Sequence, residues 1–289
     1  MNTPLISVCI PTYNGEIYLQ EALDSIKKQT YQSLEVIISD DQSKDKTLSI
    51  CQQFKSEVDF PVYIYTHQPS GIGANWNNSI DKANGEYIKM LFQDDVLEPN
   101  CIKVMFDYLQ KNNLEIVISK RSIIDSFSQE ITSGDWYNNY NDLQKATSLD
   151  TREFYIFSKK DINRINFNRF LYENIFGEPC VSLFSKKMYY KTGKWNIDLK
   201  QVLDYVYYLR VLKYYNIGII GEKLVKFRVH DQQASNINYK NNVYEGGFII
   251  RYIFKLFFFY FSFTKQQQLL KLRYPILGKV SFFKFKLFP

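Results

Sequence analysis

Over its first third the chain alternates short apolar runs of strand length with stretches whose apolar residues recur three and four positions apart. Residues 5–10 form the first run, which stops at Pro11-Thr12-Tyr13-Asn14-Gly15, a strand followed by a turn. Leu19, Ala22, Leu23 and Ile26 then share one helical face, with Asn14 or Gly15 placed to cap. The same pattern repeats as strand 34–39, helix 43–57 with Leu48, Cys51 and Phe54 inward, strand 62–65, and helix 75–82 after a Gly71-Ile72-Gly73 turn. Residues 87–92, opened by Gly85, carry one charge in an apolar run, which is how a strand buried on both faces of a parallel sheet reads. Helix 100–111, with Pro99 at its first turn, and strand 115–119 follow. Strands and helices alternating at this spacing predict βαβ units, a mostly parallel central sheet flanked by helices, and an α/β fold class.

Periodicity weakens from 121 to 169, where Asn, Asp and Tyr are frequent, as in an insertion or an acceptor loop. Residues 177–184 read as a turn and a strand, and 202–214 as a helix with Val202, Val206 and Leu209 on one face. Residues 226–230 close the core region.

Candidate chemistry collects at the ends of these strands. Asp94-Asp95 follows the central strand, Asp40-Asp41 the second, and Pro11-Thr12-Tyr13 the first. Ligands of open α/β sheets bind at the carboxyl ends of the strands. Adjacent carboxylates repel unless a cation or hydrogen bonds compensate them, and Mg²⁺ or Mn²⁺ completed by substrate phosphates suits such a pair. One acid pair alone would read equally as a helix-capping turn; two at neighbouring strand ends favour a site. Gly71-Ile72-Gly73 half matches a dinucleotide fingerprint, but Trp76 stands at its third glycine and it follows the third strand, so the fingerprint is rejected. Asp204 lies in the first turn of its helix, where the helix dipole alone would also favour it. His230 ends a basic strand, and His67 reads as structural.

Composition narrows the class. Hydrophobic content of 45% excludes disorder, and four scattered cysteines give neither a zinc spacing nor a disulfide framework. With no basic-then-apolar leader, a cytoplasmic location is expected. Net charge is +6, but residues 240–289 carry +8 and the remainder −2. Within that basic tail, 248–263 is apolar yet short of the about 20 residues that span a bilayer. It suits a segment lying on the inner face of the cell membrane, with the Lys-rich 283–286 end adding attraction to anionic lipid. A helix packed on the core is the alternative. No recognition module accompanies the basic residues, so no nucleic acid is expected.

Residues 7–15, 34–46, Asn75-Trp76-Asn77, 85–99, Gly177-Glu178-Pro179, 193–210 and Phe227-Arg228-Val229-His230, in this order, resemble family 2 glycosyltransferases of the GT-A fold. That class builds bacterial surface polysaccharides, O-antigen, capsule and exopolysaccharide among them, from nucleotide sugars. The resemblance implies a nucleotide-sugar half at 1–120, an acceptor half at 121–239 of the same domain, and the membrane-associating tail at 240–289. It places Pro11, Thr12, Tyr13, Asp40 and Asp41 at base and ribose, and Asn77, Asp94 and Arg228 on the donor. Asp94, Asp95 and His230 become the ligands of Mg²⁺ or Mn²⁺, and Asp204 the catalytic base. A nucleotide-sugar donor, a UDP-sugar, and a lipid-linked or oligosaccharide acceptor are the implied partners, with inversion at the anomeric carbon. Three positions depart from the family pattern: Phe92 replaces an acid, Trp76 replaces an Arg, and Leu203-Asp204 keeps one acid of two. A catalytically silent sugar-nucleotide-binding or assembly subunit with the same fold is the alternative.

Overall fold

The computed structural model describes residues 3–147 and 149–274. The apolar runs become β1 (Ile6–Thr12), β2 (Leu34–Asp40), β3 (Val62–Thr66) and β4 (Tyr87–Met90), joined later by β5 (Val96–Leu97), β6 (Ile116–Ile124), β7 (Phe154–Phe157), β8 (Ser182–Ser185) and β9 (Ile217–Arg228). They form one sheet in the order β3-β2-β1-β4-β8-β6-β9-β5, with β7 paired to β9. The β3-β2-β1-β4 half is parallel, as expected, while β8 runs antiparallel between β4 and β6. Every residue of β1 and β2 is buried, as in a sheet covered on both faces.

Burying whole strands encloses polar groups too, and the charged ones in β2 and β4 find partners. Glu35 in β2 accepts from Ser7 Oγ at 2.5 Å, Asn84 Nδ2 at 2.9 Å and Gly85 N at 3.1 Å, which fixes the turn that feeds β4. A Cβ at Gly85 would lie 2.5 Å from Ser7 Oγ, so glycine is required there by close approach. Lys89, the one charge of the central run, is fully buried and donates to the carbonyls of Met90, Cys180 and Ser182.

Several elements differ from expectation. β4 ends at Met90, and Val96–Leu97 turns back to pair antiparallel with Val225 and Lys226 of β9. β6 continues to Ile124, into the stretch of weak periodicity. β9 starts at Ile217, far ahead of 226, because glycines interrupt its pattern: a Cβ at Gly221 would collide with Arg152 O at 1.9 Å. The helix expected at 75–82 is Ile72–Asp81, begun from Gly71 at φ +94°.

The tail is built into the body. Helix Gly246–Phe257 buries Ile249, Ile253 and Phe257 against helices Leu203–Tyr214 and Phe167–Tyr172, and Phe261 packs edge-on against Phe167 at 5.3 Å. Glu245 accepts from the backbone N–H groups of Lys200, Gln201 and Val202, steadying the start of the Asp204 helix. The apolar stretch expected to lie on lipid thus has its inner face already occupied by protein, while Phe259 and Phe263 remain 89% and 72% exposed. No helix among the described residues is long and apolar enough to cross a membrane. The Lys-rich 283–286 end lies outside the described residues.

Truncating Phe257 to Ala should therefore cost about 3–5 kcal/mol, as for a large buried aromatic. Chemical denaturation measures it; an unchanged midpoint would mean the tail contributes nothing to the folded unit.

Candidate active site

The loops after β1, β2 and β4 meet at one rim, and a cavity of about 520 Å³ opens there. Pro11, Thr12, Tyr13, Asp41, Trp76, Phe92, Asp94, Glu178, Leu203, Asp204 and His230 are among the residues that line it.

The paired register of β1 and β2 sets Thr12 opposite Asp40. Asp40 is fully buried and does not line the cavity. It accepts from Thr12 Oγ1 at 2.9 Å, Ser43 N at 2.9 Å and Ser43 Oγ at 2.6 Å, so it fastens the two loops together. Asp41 is the member of the pair that reaches the cavity, 2.8 Å from His67 Nε2. Burial pushes its carboxyl above the ordinary range, opposed by His67. His67 also meets Asn75 Oδ1 at 3.2 Å, and Asn75 Nδ2 donates to Thr12 O at 3.0 Å. Gln93 completes the rim by exchanging hydrogen bonds with the backbone of Tyr13 at 2.9 and 3.1 Å.

The second pair divides in the same way. Asp94 faces the cavity with Oδ2 3.1 Å from His230 Nε2. Asp95 is wholly buried behind it and takes the Arg228 backbone N–H on Oδ1 at 3.0 Å. Burial, with Asp94 beside it, holds the Asp95 carboxyl well above the usual carboxylate range. Of the expected set of Asp94, Asp95 and His230, only Asp94 and His230 line the cavity, and Asp95 is enclosed behind them.

Arg228 does not reach the cavity either. Its guanidinium is fully buried, donating to Asp94 O at 2.8 Å, Asp125 O and Ser128 Oγ at 2.9 Å, and Glu21 Oε2 at 2.5 Å, over the Tyr18 ring. With four of its five N–H donors committed inside the fold, it braces the Asp94 turn. Asn77 is likewise structural. It accepts from Tyr189 OH at 2.6 Å and Trp195 N at 3.0 Å, and donates to Trp195 O at 3.0 Å.

Asp204 stands at the start of helix Leu203–Tyr214 and lines the cavity. Tyr205 N donates to Oδ1 at 2.7 Å and Asn174 Nδ2 to Oδ2 at 2.9 Å. Burial pushes its carboxyl up to about 7, with the charge of Glu178 adding to the rise. Glu178 is itself held by Arg121 at 2.9 Å.

Among the described residues no three His, Cys, Asp or Glu side chains converge as a closed metal cage. The two that do meet in the cavity, Asp94 and His230, fit a divalent cation of the kind that takes one or two protein ligands and completes its shell with phosphate oxygens.

The model of glycosyl transferase family 2 matches residues 7–193, which holds all three strand-end loops and Glu178. The chain belongs to that family. An uncharacterised glycosyltransferase of Rickettsia typhi is 32% identical over 241 residues, 81% of this chain and 67% of that protein. The GalNAc(5)-diNAcBac-PP-undecaprenol beta-1,3-glucosyltransferase of Campylobacter jejuni is 28% identical over 196 residues, 65% of this chain and 62% of that protein. Among solved structures, Staphylococcus aureus TarS in complex with UDP-GlcNAc superposes with a TM-score of 0.67 at 15% identity, covering 94% of this chain and 71% of that one. The mannosyltransferase PcManGT of Pyrobaculum calidifontis with GDP-Man and Mn²⁺ gives 0.62 at 16%, covering 88% and 64%. At such identities the structures establish the GT-A fold for this family 2 glycosyltransferase.

Sequence reasoning quoted Asn75 and Glu178 only as parts of matching segments, and passed over Gln93 and Asn174. Gln93 had a signal, lying between the last apolar residue of the run and the acid pair; Asn174, between the weak-period stretch and the 177–184 turn and strand, had none.

Replacing Arg228 by Ala should destabilise the protein by about 1–3 kcal/mol, the range for leaving buried hydrogen-bond partners unpaired, since its charged partner Glu21 is 43% exposed. Denaturation of the variant checks it, and a fold as stable as wild type would return Arg228 to a ligand-binding role.

Proposed function

We propose that this family 2 glycosyltransferase moves a sugar from a nucleoside-diphosphate donor, a UDP-sugar, to a saccharide acceptor by single displacement with inversion. The observation that carries the reading is the meeting of Asp204 with Asp94 and His230 in one cavity. The acceptor hydroxyl oxygen bonds to the anomeric carbon as the bond from that carbon to the diphosphate oxygen breaks, and the hydroxyl proton passes to Asp204. A carboxyl pushed up to about 7 is matched to accepting a proton near neutral pH. Tyr205 N–H and the Asn174 amide hold the two carboxylate oxygens in place for it.

The rest of the lining bears on the leaving group. Asp41, Asp94, Glu178 and Asp204 line the cavity together with Lys200 and His230, a surplus of acid that would repel a bare diphosphate. When bound, Mg²⁺ or Mn²⁺ would neutralise the diphosphate charge as it develops, and Asp94 and His230 are the residues to hold it. Arg228 keeps the Asp94 turn rigid from below.

The UDP-GlcNAc complex of TarS and the GDP-Man and Mn²⁺ complex of PcManGT support a metal-assisted nucleotide-sugar donor. The PP-undecaprenol in the name of the Campylobacter relative supports a lipid-linked acceptor. The donor then occupies residues 1–120 and the acceptor residues 121–239. Exposed Phe259, Tyr260 and Phe263 beside the basic tail would rest on the inner face of the cell membrane, within O-antigen, capsule or exopolysaccharide synthesis.

Because Asp204 must be unprotonated to act, kcat/KM should rise with pH and level off above about 7. Asp204→Asn should lower kcat by about 10²–10⁴-fold while keeping nucleotide affinity. A flat profile, or an active Asn variant, removes Asp204 from the role.

A further inference from the structure

Two of the departures from the family pattern, Trp76 and Phe92, come from separate parts of the sequence and touch each other. Their rings stack at 4.9 Å and 27°, and both line the cavity that holds Asp94 and Asp204. Phe92 belongs to the turn that presents Asp94, and Trp76 follows Asn75, which holds the Thr12 carbonyl. The aromatic wall therefore runs between the strand-end loops and the Asp204 helix. It is also rigid: Trp76 meets Trp195 edge-on at 5.2 Å, and Trp195 packs on Tyr207 of that helix at 3.9 Å. Asn77 clamps the backbone of Trp195 on both its N–H and its carbonyl, and Trp76 is only 5% exposed, so the wall has little freedom to swing aside.

We infer that Trp76 and Phe92 select a donor sugar bearing an apolar substituent, a deoxy methyl or an acetamido methyl, over the same sugar with a hydroxyl there. The inference rests on the donor reading above. With Trp76 buried beneath it, Phe92 is the half-buried ring that this wall offers; a hydroxyl pressed against it gives up its water and gains no partner, whereas C–H groups pack favourably on an aromatic face. Asp41, Asn75, Gln93, Asp94, Glu178 and Asp204, elsewhere in the lining, are the groups that the sugar's remaining hydroxyls can use.

The test is calorimetric binding, with Mn²⁺, of donors matched in nucleotide and ring configuration: UDP-GlcNAc against UDP-glucose, UDP-GalNAc against UDP-galactose, dTDP-6-deoxy-D-glucose against dTDP-glucose and GDP-6-deoxy-D-mannose against GDP-mannose. UDP, dTDP and GDP alone serve as references. For the nucleotide that binds, the methyl-bearing donor should bind at least about tenfold more tightly. The first two pairs report an acetamido methyl and the last two a deoxy methyl. Phe92→Asn should erase that preference while nucleoside diphosphate binding persists, and Phe92→Leu should retain it. Equal binding within the pairs, preference for the hydroxyl sugar, or a preference unchanged in Phe92→Asn overturns the inference and leaves the donor reading standing. Should the Asn variant no longer bind nucleoside diphosphate, the wild-type ratio alone decides. Folded protein that binds no nucleoside diphosphate overturns both.

Discussion

A single buried guanidinium holds the floor of the cavity. Arg228, at the end of β9, ties Glu21 of the first helix, the carbonyl after β4 at Asp94, and the Asp125–Ser128 turn beyond β6 into one network. Its backbone N–H also takes the one satisfied oxygen of Asp95. Elements more than a hundred residues apart in sequence thus converge on one planar group that presents its donors in a fixed fork. Enclosing a charge is costly unless every donor finds a partner, and removing one member would strand the others. The geometry at Asp94 inherits its rigidity from this arrangement.

The same economy explains the two acid pairs. Adjacent carboxylates cannot both be charged and enclosed. In each pair one member is withdrawn into the fold to organise backbone, Asp40 for the first two loops and Asp95 for β9, and the other reaches the cavity. The cavity-facing members then find imidazoles, His67 beside Asp41 and His230 beside Asp94.

The parallel half of the sheet was legible because β1, β2 and β4 are buried on both faces and leave a mostly apolar mark in the sequence, broken only by single polar or charged residues such as Glu35 and Lys89. β9 was not, since Gly218 and Gly221 make room for Leu114 and for the Arg152 carbonyl and break the pattern over its first half. The strand-end acids announced the site, and Asp204 was legible through its helix and the family pattern. Which acid of a pair turns inward, and whether Arg228 and Asn77 meet ligand or protein, depend on partners remote in sequence. Local pattern carries no record of those partners. His67 read as structural, and its contact with Asp41 shows how a residue between strand and helix is drawn into the rim.

The central claim is that the cavity takes a nucleoside diphosphate through a cation shared with Asp94. Titration calorimetry of UDP into wild type and Asp94→Asn, with and without Mn²⁺, tests it most directly. The account predicts binding that requires the metal and is lost or greatly weakened in the variant. Binding indifferent to metal and equally strong in Asp94→Asn would contradict it.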